Sequence, residues 1–248
     1  MKFLATSTST LALATIIRAQ DSANDSSNDA SLPDGRRYNS IVEMAYSQVT
    51  TNYDRRSFEN RISKYGCHCF PGDTRAAGGP GPRVDSLDEE CWSLSKCHKC
   101  VLITYGDSNL KTNLKSMDRF DHYNWSLLAD GSISCDNEKN DAKKSLCECD
   151  KAFAERMKTT WNDNLPNSFY WKSNKNVKNN PTFDYESTCV PAGAGVTADS
   201  CCGTGFPNME PFSSANNKDC CQDSGAIFNS LTHECCADGS GVQTIGAC

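Results

Sequence analysis

The amino-acid sequence predicts a mainly α-helical, disulfide-rich fold followed by a small cysteine-rich tail of irregular or β structure. Two observations support this prediction. Two long segments show the apolar periodicity of helices, and sixteen cysteines occur in 248 residues. The cysteines form two sets of eight, one from Cys67 to Cys149 and one from Cys189 to Cys248. An even number of cysteines in an exported chain is typical of a disulfide framework, so we expect two cross-linked modules.

The first 19 residues, MKFLATSTSTLALATIIRA, have the layout of a secretory signal peptide. One lysine is followed by a mostly apolar run from Phe3 to Ile17 and then by small and polar residues. That run is shorter than the roughly 20 apolar residues of a membrane span. We therefore expect a secreted, extracellular protein. Residues 20–36 are rich in Ser, Asn and Asp and are predicted to form a disordered leader.

The distribution of charge limits the partners of the chain. A formal net charge of −6 gives a nucleic-acid role no electrostatic support. From Cys189 onward there are six acids and one base, so most of the net charge lies in the tail, and charge will not draw this tail to anionic lipid. Two N-glycosylation sequons occur, Asn24-Asp-Ser and Asn124-Trp-Ser, and such short motifs can equally be unmodified asparagines.

Local patterns predict the first elements. A short helix is predicted within NSIVEMAYSQV, residues 39–49, where four apolar residues share one face. The segment 65–85 is rich in glycine and proline and is predicted to be a loop. From Asp85 the pattern is that of a long helix, because inward residues recur every three or four positions. These residues are Leu87, Cys91, Leu94, His98, Val101 and Tyr105.

A second long helix is predicted from about Asn140, with an inward stripe that includes Leu146, Asp150 and Phe153. Inward cysteines on both helices could cross-link them side by side. The polar segment between the helices favours a small β-hairpin around Asp130-Gly131. The Asn- and Lys-rich stretch 162–182 is predicted to be a surface loop.

In the tail, cysteine doublets are separated by Gly, Asn, Ser and Asp. So few large apolar residues cannot build a core, and the tail should depend on cross-links worth about 2 to 4 kcal/mol each. The segments CCGTGFPN and CCQDSGAIFNSLTHECC look like a degenerate repeat. The tail resembles the double-cysteine repeats of galaxin-type matrix proteins, which implies a partner in an extracellular matrix or wall.

Two polar residues, His98 and Asp150, lie on the inward stripes of the two long helices. A disulfide from Cys97 or Cys100 to Cys149 would bring their side chains together. A buried imidazole beside a carboxylate serves general-base chemistry, and it is also the geometry of a structural hydrogen bond. The spacing alone leaves both interpretations open and favours the structural one.

The segment from Tyr65 to Asp150 resembles a secreted phospholipase A2. The resemblance is carried by YGCHC, GGPGPRVD, VDSLDEEC and SISCDNEKNDAKKSLCECD, and it extends over roughly residues 38–189. It implies a phospholipase A2-like fold with antiparallel disulfide-linked helices, a calcium-type loop, a small β-wing, and an N-terminal helix that shapes a lipid channel. It also implies hydrolysis of the sn-2 ester of a phospholipid by a histidine-activated water, with calcium as cofactor.

The catalytic residues that the resemblance implies are not all present. Aligning Cys91 and Cys97 with the family's helix cysteines places Leu94 at the catalytic histidine and Ser95 at the calcium-binding carboxylate. No shift of register produces an adjacent His-Asp pair. Loss of a positioned general base typically lowers a rate by about 10² to 10⁴. We therefore expect sn-2 hydrolysis to be lost or strongly impaired.

The resemblance to the family is weaker in the calcium loop than in the second long helix. The resemblance implies loop carbonyl ligands at His68, Phe70 and Gly72, and because Phe70 replaces a family glycine the loop supports calcium poorly. Asp150 is retained as the aspartate that orients the family's histidine, and Tyr123 is expected to hydrogen-bond to it. His98 stands where the family usually has a tyrosine, so a displaced His98 and Asp150 pair is an alternative catalytic site.

The resemblance also implies a set of disulfides. A family helix cysteine is Glu90 here, so one cysteine of the helical part is left over and could bond to the tail. The expected pairs are Cys69 with Cys91, Cys135 with Cys147, Cys67 with Cys189, and either Cys97 or Cys100 with Cys149.

These observations give a phospholipase A2-like domain at 37–189, a tail at 190–248, and several functional hypotheses. The first is a secreted protein that engages phospholipid or a membrane surface with its catalysis lost. The second is an active calcium-dependent phospholipase A2 that uses His98 and Asp150. The third is an extracellular matrix or wall protein that acts through its tail. A zinc site at CHKC and CEC is a fourth, which disulfide formation in an exported chain disfavours.

Overall fold

The computed structural model describes residues 35–70, 78–106, 123–136, 138–139, 141–170, 183–191 and 197–248. The predicted signal peptide, residues 20–34 of the predicted leader, and Gly72 lie outside these ranges. Every described residue belongs to one unit, Asp34–Cys248, in which the helical part and the tail pack against each other.

Two helices open the described chain. α1, Gly35–Gln48, contains the predicted helix and begins inside the predicted leader. Its residues Ile41, Val42, Met44 and Ala45 are buried. The sequence pattern does not predict α2, Arg55–Ile62, which begins where Asp54 accepts the backbone N–H of Ser57 at 2.8 Å.

α3, Ser86–Tyr105, and α4, Asp141–Thr160, are the two long helices that the apolar periodicity predicts. Asp85 caps α3, because its carboxylate accepts the backbone N–H of Asp88 at 3.0 Å. The inward stripe of α3 is buried as far as Val101, whereas Tyr105 at the end of the helix is 41% exposed. The two buried stripes meet in the main core of the molecule, where α1 packs against α4.

Disulfides cross-link this core in the pattern that the resemblance implies. Cys97, rather than Cys100, bonds to Cys149 and joins α3 to α4, with the two Cα atoms 5.8 Å apart. The remaining bonds of the helical part are Cys67–Cys189, Cys69–Cys91 and Cys135–Cys147.

The segment between α3 and α4 contains the predicted wing. It is an antiparallel pair of β1, Ser126–Leu127, and β2, Ile133–Ser134. Asp130 and Gly131 lie in the turn between the strands, as the sequence predicts. The backbone of Gly131 has a positive φ of 83°, which glycine adopts without strain.

The prediction of a surface loop at 162–182 is wrong for the part that the structure describes. Leu165 and Tyr170 are buried, and a 3₁₀ turn spans Asn167–Phe169. Tyr170 forms a backbone bridge with Tyr65 and packs edge-on against its ring, at a centroid distance of 5.0 Å. A few apolar anchors inside an Asn-rich stretch therefore hold it to the core. The short helix α5, Tyr185–Thr188, follows further along the chain.

The tail consists of three consecutive antiparallel β-hairpins, each with a cysteine doublet on its first strand. The degenerate repeat of the sequence is thus one hairpin for each doublet. The first hairpin pairs β3, Ser200–Gly203, with β4, Met209–Phe212; the second pairs β5, Lys218–Cys221, with β6, Ala226–Asn229; the third pairs β7, His233–Cys236, with β8, Gly241–Thr244.

One rule describes the disulfides of the tail: the second cysteine of each doublet bonds to the next cysteine along the chain. The bonds are Cys202–Cys220, Cys221–Cys235 and Cys236–Cys248. The first doublet has no hairpin before it, and its Cys201 bonds to Cys100 of α3. The cysteine left over in the helical part is therefore the one that joins the tail.

The first hairpin lies directly on α3. Lys96 pairs with Glu210 of β4 at 3.0 Å, and the Phe206 ring stacks on Tyr105 at a centroid distance of 6.1 Å. A polar cleft of about 480 Å³ lies between α3, α4 and the first two hairpins, lined among others by Ser93 and Arg156. Over the ranges that the structure describes, no helix is both long and apolar enough to cross a membrane.

Candidate active site

Leu94 and Ser95 stand at the positions that the resemblance assigns to the catalytic histidine and the calcium carboxylate. Leu94 is fully buried in the main core. The Ser95 hydroxyl donates to the backbone carbonyl of Trp92 at 2.7 Å. Gly78 lies so close that a Cβ built on it would be 2.3 Å from the Ser95 Cβ. The loop therefore occupies space into which a longer carboxylate side chain would extend.

His98 and Asp150 meet, as the periodicities of the two helices predict. His98 Nε2 lies 2.5 Å from Asp150 Oδ1, and the Tyr123 hydroxyl donates to Asp150 Oδ2 at 2.6 Å. The neighbouring Cys97–Cys149 bond draws α4 to α3 at this level. All three side chains of the network are buried, and only 2% of the His98 surface is exposed.

This geometry fixes what the network can do chemically. A carboxylate only accepts hydrogen bonds, so His98 Nε2 donates and Asp150 holds the imidazole in one tautomer. The same contacts satisfy a carboxylate that would be costly to bury alone. A general base must also reach the water that it activates. The burial of His98 gives it almost no surface for that purpose within the described structure.

A second buried carboxylate, which the sequence analysis did not single out, fixes the loop before α3. Asp88 accepts the backbone N–H groups of Cys67, His68 and Val84 at 3.0, 2.7 and 3.1 Å. Burial raises the pKa of Asp88, while these hydrogen bonds act against the rise. Gly66 is required beside it, because a Cβ there would lie 2.3 Å from the carboxylate carbon.

His68 takes part in the loop through both its ring and its backbone. Burial lowers the pKa of the ring, and Nε2 donates to the Gly81 carbonyl at 3.2 Å. The neutral ring then has Nδ1 as an acceptor, which finds no partner within the described part of the chain. The backbone carbonyl of His68 accepts the N–H groups of Phe70 and Gly78 at 3.0 and 2.7 Å.

The described part of this loop does not fit calcium. The ion takes roughly six to eight oxygen ligands, chiefly carboxylates, carbonyls and waters. The His68 carbonyl is already engaged by two N–H donors, and the position that the resemblance assigns to the carboxylate holds Ser95. Phe70 has a left-handed backbone with φ of 51°, and its buried ring packs on Phe153 at a centroid distance of 6.2 Å. Gly72, the third expected carbonyl ligand, lies outside the described residues.

The zinc hypothesis is wrong. All sixteen cysteines form disulfides, including Cys97, Cys100, Cys147 and Cys149 of the CHKC and CEC motifs. A disulfide sulfur is not a thiolate, and zinc requires thiolates.

An ion pair stands where the resemblance leads one to expect a cross-link. Glu90, which occupies the place of a family cysteine, pairs with the Nε of Arg156 on α4. In antiparallel helices, seven residues back from Cys97 and seven forward from Cys149 are facing positions, and these are 90 and 156. The sequence analysis missed Arg156, although this offset could have identified it.

Comparison with known proteins supports the architecture of the helical part. A family model described as Phospholipase A2 matches residues 43–167. A protein named Phospholipase A2 homolog, from Echis carinatus sochureki, is 32% identical over 123 residues, which cover 50% of this chain and 83% of that protein. A protein of the same name from Echis coloratus is 35% identical over 125 residues, which cover 48% of this chain and 84% of that protein.

A mammalian relative matches a shorter region. The protein named Phospholipase A2, membrane associated, from Mus musculus, is 33% identical over 109 residues, which cover 43% of this chain and 62% of that protein. The family model ends at residue 167, whereas the first tail hairpin begins at Ser200. The three hairpins are thus additional to the region that the family model matches.

Proposed function

This chain belongs to the phospholipase A2 family, and from that membership we propose that it binds phospholipid outside the cell with little or no hydrolysis of the sn-2 ester. One observation carries the proposal. The resemblance assigns Leu94 and Ser95 to the catalytic positions, and His98 is buried in a hydrogen bond to Asp150. The chain has therefore kept the frame of the family's site and changed the residues that act in it.

The size of the expected loss follows from the two missing functions. A positioned general base contributes about 10² to 10⁴ to a rate. A preorganised group that stabilises the oxyanion contributes about 10² to 10³ more. Both contributions are absent if Leu94, Ser95 and the engaged His68 carbonyl define the site. Hydrolysis should then be slower by about 10⁴ to 10⁷ than with both contributions in place.

An oxidising location is part of the proposal. All sixteen cysteines are paired, in eight disulfides. Disulfides form and persist in oxidising environments outside the cytosol. The N-terminal signal peptide that the sequence predicts would direct the chain there.

Charge and aromatic surface suggest which lipid is bound. The acidic tail carries most of the net charge of −6, and this tail favours a zwitterionic bilayer such as phosphatidylcholine over an anionic one. Trp92 on α3 is half-buried, with the Arg83 guanidinium carbon 4.2 Å and Lys96 Nζ 3.7 Å from its ring centroid. Both cations also form ion pairs, with Glu89 and Glu210 respectively. Tryptophan and basic side chains are typical of surfaces at the lipid–water boundary. We therefore assign the lipid contact to Trp92 and its neighbours.

The first experiment separates binding from hydrolysis. The secreted chain is incubated with phosphatidylcholine vesicles in calcium or in chelator, and both fatty-acid release and cosedimentation with the vesicles are measured. We expect cosedimentation in both buffers and no calcium-dependent release. Trp92→Ala should weaken cosedimentation roughly tenfold, the equivalent of about 1.4 kcal/mol. Lys158→Ala, on the exposed side of α4, is the control and should bind like the wild type. A wild-type chain that does not cosediment contradicts the proposal.

The second candidate function is an active phospholipase A2 that uses the displaced pair. The 2.5 Å contact between His98 and Asp150 favours it, because an aspartate-oriented imidazole is the family's base. His98→Ala and Asp150→Asn test it in the same vesicle assay. Calcium-dependent fatty-acid release by the wild type, abolished in His98→Ala, would replace the first proposal with this one.

A further inference from the structure

We infer that Asn124 carries an N-linked oligosaccharide and that the wing of the helical part is a glycosylated surface. Asn124-Trp-Ser is a sequon, and unlike Asn24-Asp-Ser it lies in the described structure. The motif alone proves little. The argument depends on where the structure places its three residues and on what the Asn124 amide touches.

The sequon lies at the start of the wing with its two reactive residues away from the core. Asn124 is exposed, and Ser126 is the first residue of β1, where it pairs with Ser134. Trp125, between them, packs against the main core. Trp125 thus contacts the core, whereas the Asn124 side chain is exposed to solvent. A sugar chain on Asn124 thus extends into solvent without displacing the core.

The hydrogen bonding of Asn124 is compatible with the modification. Its backbone N–H donates to Glu138 Oε2 at 2.9 Å, which fixes the position of the residue. Its side-chain Nδ2 donates to the same oxygen at 3.4 Å. An amide nitrogen carries two hydrogens and loses one on glycosylation. The remaining N–H can keep the contact with Glu138 while the sugar occupies the outward position.

The transfer itself needs a lipid-linked oligosaccharide, the donor of a eukaryotic secretory pathway. Nδ2 of Asn124 forms a bond to the anomeric carbon of the donor sugar. The bond from that carbon to the donor's phosphate oxygen breaks, and the lipid pyrophosphate leaves with the bonding electrons. One amide proton is lost to a base of the transferase. The predicted signal peptide would bring the chain to this donor.

A glycan at this point would add polar surface to a wing that also exposes apolar side chains. Leu127 and Leu128 follow the sequon directly and are 50% and 48% exposed. Adjacent exposed leucines favour association between molecules. We therefore expect a hydrated oligosaccharide on the same wing to favour the solubility of the secreted chain.

The test uses the full chain expressed in a eukaryotic secretory host. Protein from the medium and from the cells is compared by gel mobility and intact mass before and after peptide N-glycosidase. We expect a mass loss on enzyme treatment, with aspartate at position 124 of the deglycosylated chain. Asn124→Gln and Ser126→Ala should each abolish the site's mass loss, and Asn24→Gln is the matched control that should keep it.

The readout does not depend on folding or on lipid binding. The sugar is attached before the chain folds, so a variant retained in the cells still reports on its own site. No mass loss in the wild type, or a loss in Asn124→Gln as large as that of the wild type, overturns the inference. A chain that never enters the secretory pathway and carries no sugar overturns it as well. None of these outcomes bears on whether the protein hydrolyses lipid.

Discussion

At the scale of single residues, His98 is first of all the hydrogen-bonding partner of a buried carboxylate. Its Nε2 and the Tyr123 hydroxyl satisfy the two oxygens of Asp150 inside the core. Removal of one member of such a pair leaves a charge without its partner and costs about 3 to 5 kcal/mol. We expect His98→Ala to lower the free energy of unfolding by that order, measured by urea denaturation. Lys158→Ala, on the surface, should change it by less than about 0.5 kcal/mol. Equal stability of His98→Ala and the wild type would show that His98 is not a structural residue.

The raised pKa of Tyr170 predicts that the fold loses stability in alkali. Burial raises the pKa of its hydroxyl from the ordinary value of 10.0 to about 12. The folded chain therefore holds this proton more tightly than the unfolded chain does. The resulting stabilisation is complete below pH 10 and is lost as the pH rises through about 12. We expect the urea midpoint to fall over that window, together with a late rise in phenolate absorbance. In Tyr170→Phe the fall should be shallower, and an unchanged slope would contradict this assignment.

At the scale of elements, the facing positions 90 and 156 define the register of α3 against α4. The Glu90 and Arg156 ion pair joins the helices two turns from the Cys97–Cys149 bond. An engineered disulfide at these positions should therefore form. We expect Glu90→Cys with Arg156→Cys to give a ninth disulfide, seen as protection from thiol alkylation, and to raise the free energy of unfolding by about 2 to 4 kcal/mol. Each single cysteine variant is the control and should react with the alkylating reagent. Two reactive thiols in the double variant would show that the helices are offset.

The elements also show what could be predicted from the sequence. α3 and α4 are long, and their inward residues repeat at every turn, so periodicity identifies them. α2 is missed because it has eight residues of which only Phe58 and Ile62 are buried, too few for a periodic signal. The pairing of Cys97 with Cys149 could not be chosen over Cys100, since both cysteines lie near the same helix face. In the structure Cys100 bonds to Cys201 of the tail, and no pattern in the sequence around either cysteine indicates that long-range contact.

The candidate active site also combines features that the sequence predicts with features that it does not. The resemblance places Leu94 at the position of the family's catalytic histidine once the cysteines are aligned. The geometry of the two helices predicts that His98 and Asp150 meet, and the 2.5 Å distance between His98 Nε2 and Asp150 Oδ1 agrees with this prediction. The engagement of the His68 carbonyl by Phe70 and Gly78 could not be predicted, because it depends on how a glycine-rich loop folds back on itself. Backbone hydrogen bonds in such loops leave no pattern of side chains.

At the scale of the whole molecule, the disulfides form a series that runs from α4 into the last hairpin. Cys149 and Cys97 join α4 to α3, and Cys100 and Cys201 join α3 to the first hairpin. The three tail bonds then connect each hairpin to the next segment. The tail is held to the helical part covalently and by packing, which includes the pair of Lys96 with Glu210. The two parts should therefore unfold together, although they differ in kind.

This arrangement predicts the calorimetric behaviour of the chain. Under non-reducing conditions we expect one cooperative transition for the wild type, because the two parts pack against each other and the Cys100–Cys201 bond holds that contact together. Replacing both cysteines by serine removes the bond, at a cost of about 2 to 5 kcal/mol. The remaining contacts of the first hairpin with α3 include the Lys96–Glu210 ion pair, the stack of Phe206 on Tyr105, and the packing of Phe206 against the main core. We expect these contacts to couple the two parts less strongly than the covalent bond does, so two separate transitions should appear.

The matched control for this experiment is the last bond of the series. Cys236→Ser with Cys248→Ser removes a disulfide of the same kind that closes only the third hairpin. It should leave the helical transition at its wild-type temperature, because the bond to α3 is intact. Two transitions in the wild type itself would mean that the tail is an independent module. One transition in the variant without Cys100 and Cys201 would mean that packing alone, without the covalent bond, unites the molecule.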